Sequence, residues 1–337
     1  MFAIGYRTPS PITAPNSLVE LDLPKPTPGP RDLLVAVEAI SVNPVDVKQR
    51  AAAAPPPGGA RILGFDAAGT VEAVGAEVTL FRPGDQVFYA GAIDRPGSNA
   101  THQLVDERIV GPKPRSLGFA EAAALPLTAI TAWELLFDRL GIPRDGGEGQ
   151  SLLIVNGAGG VGSILTQIAR RLTRLTVIAT ASRPETTEWC RTMGAHHVID
   201  HRQPLDEGLA AIGLPAVTHI ASLIATDRHW PAIERAIAPQ GHVAIIDDPQ
   251  SLDIVPFKRK SVSLHWELMF TRSLFGTPDM AEQHRLLAEV SRLVDAGTLR
   301  TTMTHHGGRI DAASLRALHT LVESGRSIGK AVLAGFG

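Results

Sequence analysis

Apolar and polar positions change rhythm along the chain. Up to about residue 120, short β-rich runs (Asp32–Ala39, Gly69–Val74 and Gln86–Ala90) alternate with turns rich in glycine and proline. Pro83-Gly84-Asp85 turns tightly into Gln86-Val87-Phe88, and Pro55-Pro56-Pro57-Gly58-Gly59 reads as an irregular loop. Short strands spaced this way predict a small barrel-like β domain. From about Leu117 the pattern becomes helix–strand alternation. Phe119–Leu125 is alanine-rich helix material, and Thr128–Leu140 carries an apolar face of Ile130, Trp133, Leu136, Phe137 and Leu140. Strands are predicted over 152–155, 176–180, about 197–199, 217–224 and 242–247. Helices fit between them at 161–172, 184–193, about 206–212 and 229–237. That order is the doubly wound parallel-sheet pattern of an α/β fold.

Ser261–Met269 alternates Val262, Leu264, Trp266 and Leu268 with polar partners and reads as a strand with one exposed face. Ala281–Ala296 follows as an amphipathic helix, with Leu286, Leu287, Val290, Leu293 and Val294 on one side. A second helix, Ala312–Ser324, precedes a final strand, Lys330–Leu333.

The apolar strand Leu152–Val155 runs into Asn156-Gly157-Ala158-Gly159-Gly160-Val161-Gly162. Gly157, Gly159 and Gly162 satisfy G-x-G-x-x-G in the strand-to-helix context where it signals a dinucleotide. Gly157 permits the tight turn, Gly159 lets the backbone approach a pyrophosphate, and Gly162 lets the helix pack close to its strand. The helix N-terminus offers free N–H groups and partial positive charge to the phosphates. An NAD site places an acid at the end of the next strand to bind the ribose 2′-hydroxyl. Here Thr176–Thr180 leads into Ala181-Ser182-Arg183-Pro184, with no acid before Glu185. A hydroxyl and a guanidinium suit a 2′-phosphate, so NADPH is the expected cofactor.

Composition excludes several classes. The 337 residues suffice for about two domains. The balance of 32 Lys+Arg against 34 Asp+Glu gives no general attraction to nucleic acid or anionic membrane. A single cysteine, Cys190, rules out an internal disulfide and a thiolate-rich zinc site, and it fits a reducing, cytoplasmic setting. The N-terminus lacks the features of a signal peptide. The longest mostly apolar run, Ala120–Phe137, is broken by Glu121, Pro126 and Glu134, so a soluble protein is expected.

The chain resembles the zinc-free, quinone-oxidoreductase-like branch of the medium-chain dehydrogenase/reductase superfamily. The resemblance rests on Ser41-Val42-Asn43-Pro44-Val45-Asp46-Val47-Lys48, Gly64-Phe65-Asp66-Ala67-Ala68-Gly69 and Phe81-Arg82-Pro83-Gly84-Asp85-Gln86-Val87. It continues through Ala122–Thr128, the glycine turn and Ser327–Leu333. Thr131–Phe137 and Ser263–Phe270 look like a subgroup called zinc-type alcohol dehydrogenase-like. The resemblance implies a GroES-like catalytic domain over 1–123, a Rossmann domain over 124–269 and a C-terminal segment, 270–337, returning to the first domain. It places the active site in the cleft between the two domains. It sets Asn43 by the nicotinamide ribose, Thr128 on the nicotinamide side, and Ala158, Gly159, Gly160, Val161 and Gly162 on the pyrophosphate. Ser182 and Arg183 fall at the adenosine phosphate, His201 near that adenosine end, and Ile246 and Phe270 along the nicotinamide pocket. Lys330 sits where the family's closing Gly-Lys motif approaches the cofactor.

A catalytic zinc needs three protein ligands and an open position. Zinc-dependent relatives place a cysteine at or beside Asn43, and a histidine–glutamate pair where this chain has Phe65-Asp66; both ligand types are missing. His196-His197 and His305-His306 are adjacent pairs, which point to opposite faces of a strand and rarely share one ion. Without a Lewis acid a simple ketone is hard to reduce, whereas a quinone or enone delocalises the incoming charge itself. The expected activity is therefore hydride transfer from NADPH to a quinone or α,β-unsaturated carbonyl. The candidates for polar assistance are Asn43, Asp46 and Lys48 on one loop and Tyr89 at a strand end, with Asp46 also readable as a turn carboxylate. The alternatives are a zinc-type alcohol dehydrogenase and a non-enzymatic NADPH-binding protein. A homodimer is expected through the edge strand 261–269, since an uncovered edge is a liability.

Overall fold

A computed structural model describes residues 1–336. The chain divides into two compact units: unit 1 comprises Met1–Ile130 and Phe270–Gly337, and unit 2 comprises Thr131–Met269. The sequence expects the first division at 123/124; it falls seven residues later because the backbone N–H of Leu127 is tied to Asp66 of unit 1. The second division falls at 269/270.

Unit 1 begins with β1 (Phe2–Tyr6), β2 (Val19–Asp22), β3 (Asp32–Ser41), α1 (Pro44–Ala52) and β4 (Arg61–Ile62). It continues through β5 (Ala67–Val74), β6 (Gln86–Tyr89), β7 (His102–Asp106), β8 (Val110–Pro112), α2 (Phe119–Ala123) and α3 (Pro126–Trp133), which carries the chain into unit 2. The ten-residue strand β3 is the spine of this unit, pairing antiparallel with both β5 and β7. Phe119–Arg139 is, by length and composition, a helix long and apolar enough to cross a membrane, contrary to the expectation from its polar breaks. Its most apolar window is 78% buried inside the protein, as in a core helix.

Unit 2 continues from α3 into a π-helical turn, Glu134–Arg139. Then come β9 (Ser151–Val155), α4 (Gly160–Leu172), β10 (Thr176–Thr180), α5 (Pro184–Met193), β11 (His197–Ile199) and α6 (Leu205–Ala211). β12 (Val217–Ser222), α7 (Thr226–Ala236), β13 (Ile237–Ile245) and β14 (Ser263–Trp266) complete it. The six strands are all parallel, in the order β11-β10-β9-β12-β13-β14. This is the doubly wound order with β9 at the switch point. Leu153, Val155, Ile178, Ile220, Val243 and Ile245 are all buried, because helices cover both faces of such a sheet.

β14 is shorter than the alternation predicts. A 3-10 turn, Val255–Lys260, and a left-handed Ser261 (φ 53°) delay its start. Val262 and Leu264 pack against the core, as one buried face requires, but the pattern turns over beyond them. Trp266 and Leu268 are 61% and 50% exposed, whereas Glu267 and Met269 are buried. The chain then returns to unit 1 as α8 (Thr271–Phe275), α9 (Glu282–Asp295), β15 (Met303–His306), α10 (Ala312–Glu323) and β16 (Lys330–Ala334), which pairs with β3. The predicted apolar face of α9 is buried throughout.

Candidate functional site

In unit 1 the polar residues gather where β3 gives way to α1. Asn43 is the helix N-cap and Pro44 follows at the first helical position, where a missing N–H costs nothing. Asp46 reaches back to the Asn43 N–H at 2.8 Å, closing a capping box, and its other oxygen accepts from the Gly64 N–H at 3.0 Å. Burial pushes the Asp46 carboxyl up to about 7, aided by the charge on Asp66 and opposed by these two hydrogen bonds and Lys330. Both oxygens are committed to backbone donors. Asp46 is therefore accounted for as a helix cap rather than a proton carrier.

Asp66, fully buried just before β5, is the centre of the cluster. One oxygen accepts from Ser41 Oγ at 2.7 Å and Asn43 Nδ2 at 2.7 Å and lies 3.0 Å from Lys330 Nζ; the other accepts from the Leu127 N–H at 2.7 Å. Lys330 also donates to the Val42 carbonyl at 3.0 Å and to Asn43 Oδ1. Asn43 thus has its amide oxygen and one of its two amide N–H groups engaged in the cluster. A buried ion pair is tolerated when hydrogen bonds satisfy the remaining donors and acceptors, and this one is well satisfied. Sequence reasoning missed Asp66. The available signal was an acid embedded in the apolar stretch Leu63–Gly69, since a buried carboxylate requires a partner.

Thr128, also buried, donates to the Leu125 carbonyl at 3.0 Å. Phe270 packs edge-on against Phe65, with ring centroids 5.3 Å apart and both side chains buried. Tyr89 is fully buried and its hydroxyl has no hydrogen-bond partner; burial pushes that hydroxyl far above its ordinary pKa. Lys48 lies on α1, two residues beyond Asp46.

In unit 2 the glycine turn forms a cradle. A Cβ on Gly157 would lie 2.6 Å from Ala179 Cβ, and one on Gly162 would lie 2.2 Å from the Asn156 carbonyl oxygen. Strand, turn and helix pack as closely as the motif requires. Gly159 is the N-cap of α4, which has no side-chain cap and no acid in its first turn. Ala158 and Gly162 are buried, whereas Gly159, Gly160 and Val161 are partly exposed. An uncapped thirteen-residue helix that begins in a partly open glycine turn presents its first N–H groups to an anion.

Thr180 ties the cradle to its neighbours. Its hydroxyl accepts from the Asn156 N–H at 2.9 Å and lies 3.0 Å from His201 Nδ1, and its carbonyl accepts from the Gly157 N–H at 3.0 Å. Burial holds His201 below the usual imidazole range. Ser182 and Arg183 follow β10, both partly exposed. Arg183 lies 3.2 Å through Nε from Glu185, an exposed pair that solvent screens. Ile246, half-buried just past β13, donates its N–H to the Ser222 carbonyl at 3.2 Å. The glycine turn, Ser182, Arg183, His201 and Ile246 therefore share the carboxyl ends of the parallel strands, where ligands of such sheets bind.

A doubly wound sheet with this cradle, carried with a β-rich unit of β3-centred pairing, defines an oxidoreductase of the nicotinamide-nucleotide class. The chain belongs to the medium-chain dehydrogenase/reductase superfamily. Residues 29–132 match the alcohol dehydrogenase GroES-like domain, and residues 193–333 match the zinc-binding dehydrogenase family. A zinc-type alcohol dehydrogenase-like protein of Staphylococcus aureus (strain MSSA476) is 44% identical over 339 residues, covering 99% of each chain. The 2-methylene-furan-3-one reductase of Solanum lycopersicum is 36% identical over 189 residues, covering 52% of this chain and 46% of its own length. Among solved structures, a Rhizobium etli CFN 42 protein assigned to the zinc-dependent alcohol dehydrogenases superposes with a TM-score of 0.96 at 59% identity, covering 100% of this chain and 98% of its own. The Escherichia coli quinone oxidoreductase complexed with NADPH shares the fold, with a TM-score of 0.83 at 21% identity over 99% and 100% of the two chains.

The zinc in several of these names finds no suitable donors here. Asn43 spends its amide on Lys330 and Asp66, Phe65 is a packed aromatic, and the Asp66 carboxylate already receives an ammonium and three further donors. Among the described residues, no group of three or more His, Cys, Asp or Glu is arranged to hold a metal. The residues present do not fit a catalytic zinc. They do fit a dinucleotide, through the glycine cradle.

Proposed function

We propose that the chain is an NADPH-dependent reductase that delivers hydride to the electrophilic carbon of a quinone or an α,β-unsaturated carbonyl without a metal. The observation that carries this reading is the Asp66 cluster, whose one carboxylate is neutralised from within and leaves no donor set for a Lewis acid. A conjugated acceptor needs no such acid, because its π-system spreads the incoming charge; it needs positioning and a hydrogen bond. The reduced nicotinamide, when bound, supplies the hydride. The chain's part is to hold pyrophosphate on the open first turn of α4 and the 2′-phosphate with Ser182 and Arg183. Tyr89 is the candidate whose hydroxyl has no partner at all, and we assign it the hydrogen bond to the acceptor's oxygen. The tomato relative supports the substrate class, since the compound in its name is a conjugated enone.

The same reading makes the protein a cytoplasmic homodimer, supported by the free edge strand β14 with Trp266 and Leu268 exposed and by a buried, unpaired Cys190. The test is a substrate panel with NADPH and NADH covering quinones, enones and simple secondary alcohols. Turnover of quinones or enones, with deuterium passing from nicotinamide C4 to the enone product, is expected. Efficient turnover of secondary alcohols with quinones and enones inert would overturn the assignment, and tight NADPH binding with every acceptor inert would favour a non-enzymatic role. A monomeric mass at micromolar concentration would remove the dimer.

A further inference from the structure

Unit 2 buries a second pair of acids that hydride transfer does not use. Glu134 opens the π-helical turn Glu134–Arg139, and Glu267 directly follows the edge strand β14; both are buried. One oxygen of each acid, Glu134 Oε2 and Glu267 Oε1, is buried without a hydrogen-bond partner, and the charge of Glu134 acts directly on Glu267. Arg139 Nε donates to Glu267 Oε2 at 2.8 Å, with the arginine side chain 31% exposed and the glutamate side chain fully buried. Glu134 and Arg139 are five positions apart, a spacing that the wide π turn brings to one side and an ordinary α turn does not. The Glu267 N–H donates to the Ile245 carbonyl at 2.9 Å, so the acid also terminates the β13–β14 ladder.

Two acids facing one arginine in a buried place cannot both ionise without an uncompensated charge. We propose that Glu134 and Glu267 share one proton, and that this proton latches the edge strand β14 onto the π-helical turn. Burial pushes Glu267 up to about 8, the Glu134 charge adds to the rise, and Arg139 opposes it.

The other charged groups facing the latch supply little to replace that proton. His265 lies two residues back on the same face of β14, and the His242 and His219 rings stack behind it across β13 and β12, with centroids 5.7 and 5.2 Å apart in turn. Burial holds His265 and His219 below the usual imidazole range, His219 at about 4. Asp138, on the same turn, is exposed.

The sign follows from linkage. The folded pair binds its proton more tightly than an unfolded glutamate, whose ordinary value is 4.5. The latch is therefore fully effective below that value and is lost as pH rises through about 8. Opening of β14 should become up to about tenfold easier per pH unit inside this window, and level off above it.

Hydrogen exchange of the amides of residues 263–267, expressed as protection factors from pH 5.5 to 9, tests the latch in the full chain. Wild type should lose protection by up to about tenfold per unit before the plateau. Glu134→Gln and Glu267→Gln, which lack the shared proton, should show a flat profile for the same amides. Infrared difference spectra, wild type minus each variant at pH 7, should show a protonated carboxyl over and above the contribution of Asp46, which all three proteins share. Identical pH profiles in all three proteins, or no such carboxyl in the difference spectra, would overturn the proposal. If one variant fails to fold, the exchange profile and difference spectrum of the other decide the matter.

Discussion

In unit 1 the buried polar groups around Asp66 form a closed network: one carboxylate receives four donors, Lys330 has its three donors spent inside the cluster, and Asn43 is held at both ends of its amide. In unit 2 the glycine turn ends in a helix with no side-chain cap, so its first-turn donors remain for a ligand. The contrast separates two uses of polarity. Closed networks fix where strands and helices meet, and open termini bind. A polar residue singled out from sequence as a candidate ligand contact is therefore weighed by whether its hydrogen-bonding capacity is already consumed. By that measure Asp46, with both oxygens on backbone donors, belongs to the closed network, while Gly159 and Gly160 lie in the open turn.

The comparison breaks most sharply if the closed network is cut. Asp66→Ala leaves the Lys330 ammonium buried without its carboxylate, and losing one partner of such a pair costs about 3–5 kcal/mol. Chemical denaturation should show a loss of that size in unit 1. A loss below about 1 kcal/mol would mean that the network is not what holds β3, β16 and α3 together. Next in size is a change to the open cradle. A side chain on Gly159 would meet the Asn156 amide at 2.7 Å, a group that can swing away, so Gly159→Val should fold. It should nonetheless bind no nicotinamide nucleotide in calorimetry, because its side chain fills the space a pyrophosphate needs. Normal nucleotide affinity in this variant would show that the cradle is a plain turn.

Arg183→Ala sharpens the contrast within unit 2. The guanidinium is partly exposed and its link to Glu185 is screened by solvent. Removing it should weaken NADPH by about 1.5–3 kcal/mol, the range for a charged hydrogen bond, and leave NADH nearly unchanged. Equal affinity of the unaltered protein for both cofactors would sink the NADPH assignment.

How much of this was legible depended on distance along the chain. The parallel strands of unit 2 announce themselves as continuous apolar runs, and the glycine turn is a local motif, so both were read from neighbouring residues. The Asp66–Lys330 pair joins residues from opposite ends of the chain, and no local pattern connects an acid after Phe65 with a lysine before Ala331. Which residues of the edge strand turn inward is hidden for a related reason. Alternation from Val262 to Leu268 shows that two faces differ, but not which one is inside. Glu267 is drawn inward by Glu134 and Arg139, two helix residues that a strand pattern cannot reveal, and Trp266 is left outside.

The smallest effect falls on Tyr89, where the two regimes meet in one side chain. It sits at the end of β6 as deep as any residue of the Asp66 network, yet its hydroxyl is unpartnered. Burial drives its pKa far up, so it stays neutral across the working pH range, and the role we propose for it is that of a hydrogen-bond donor rather than a phenolate. A neutral hydrogen bond is worth about 0.5–1.5 kcal/mol, so Tyr89→Phe should slow enone reduction by about two- to tenfold. Nucleotide affinity should be unaffected, since the cradle belongs to unit 2. Stability should hold or rise slightly, because removing an unpartnered buried hydroxyl relieves a desolvation cost. A variant with full kcat would return Tyr89 to packing alone, and the acceptor's oxygen would then draw its hydrogen bond from water.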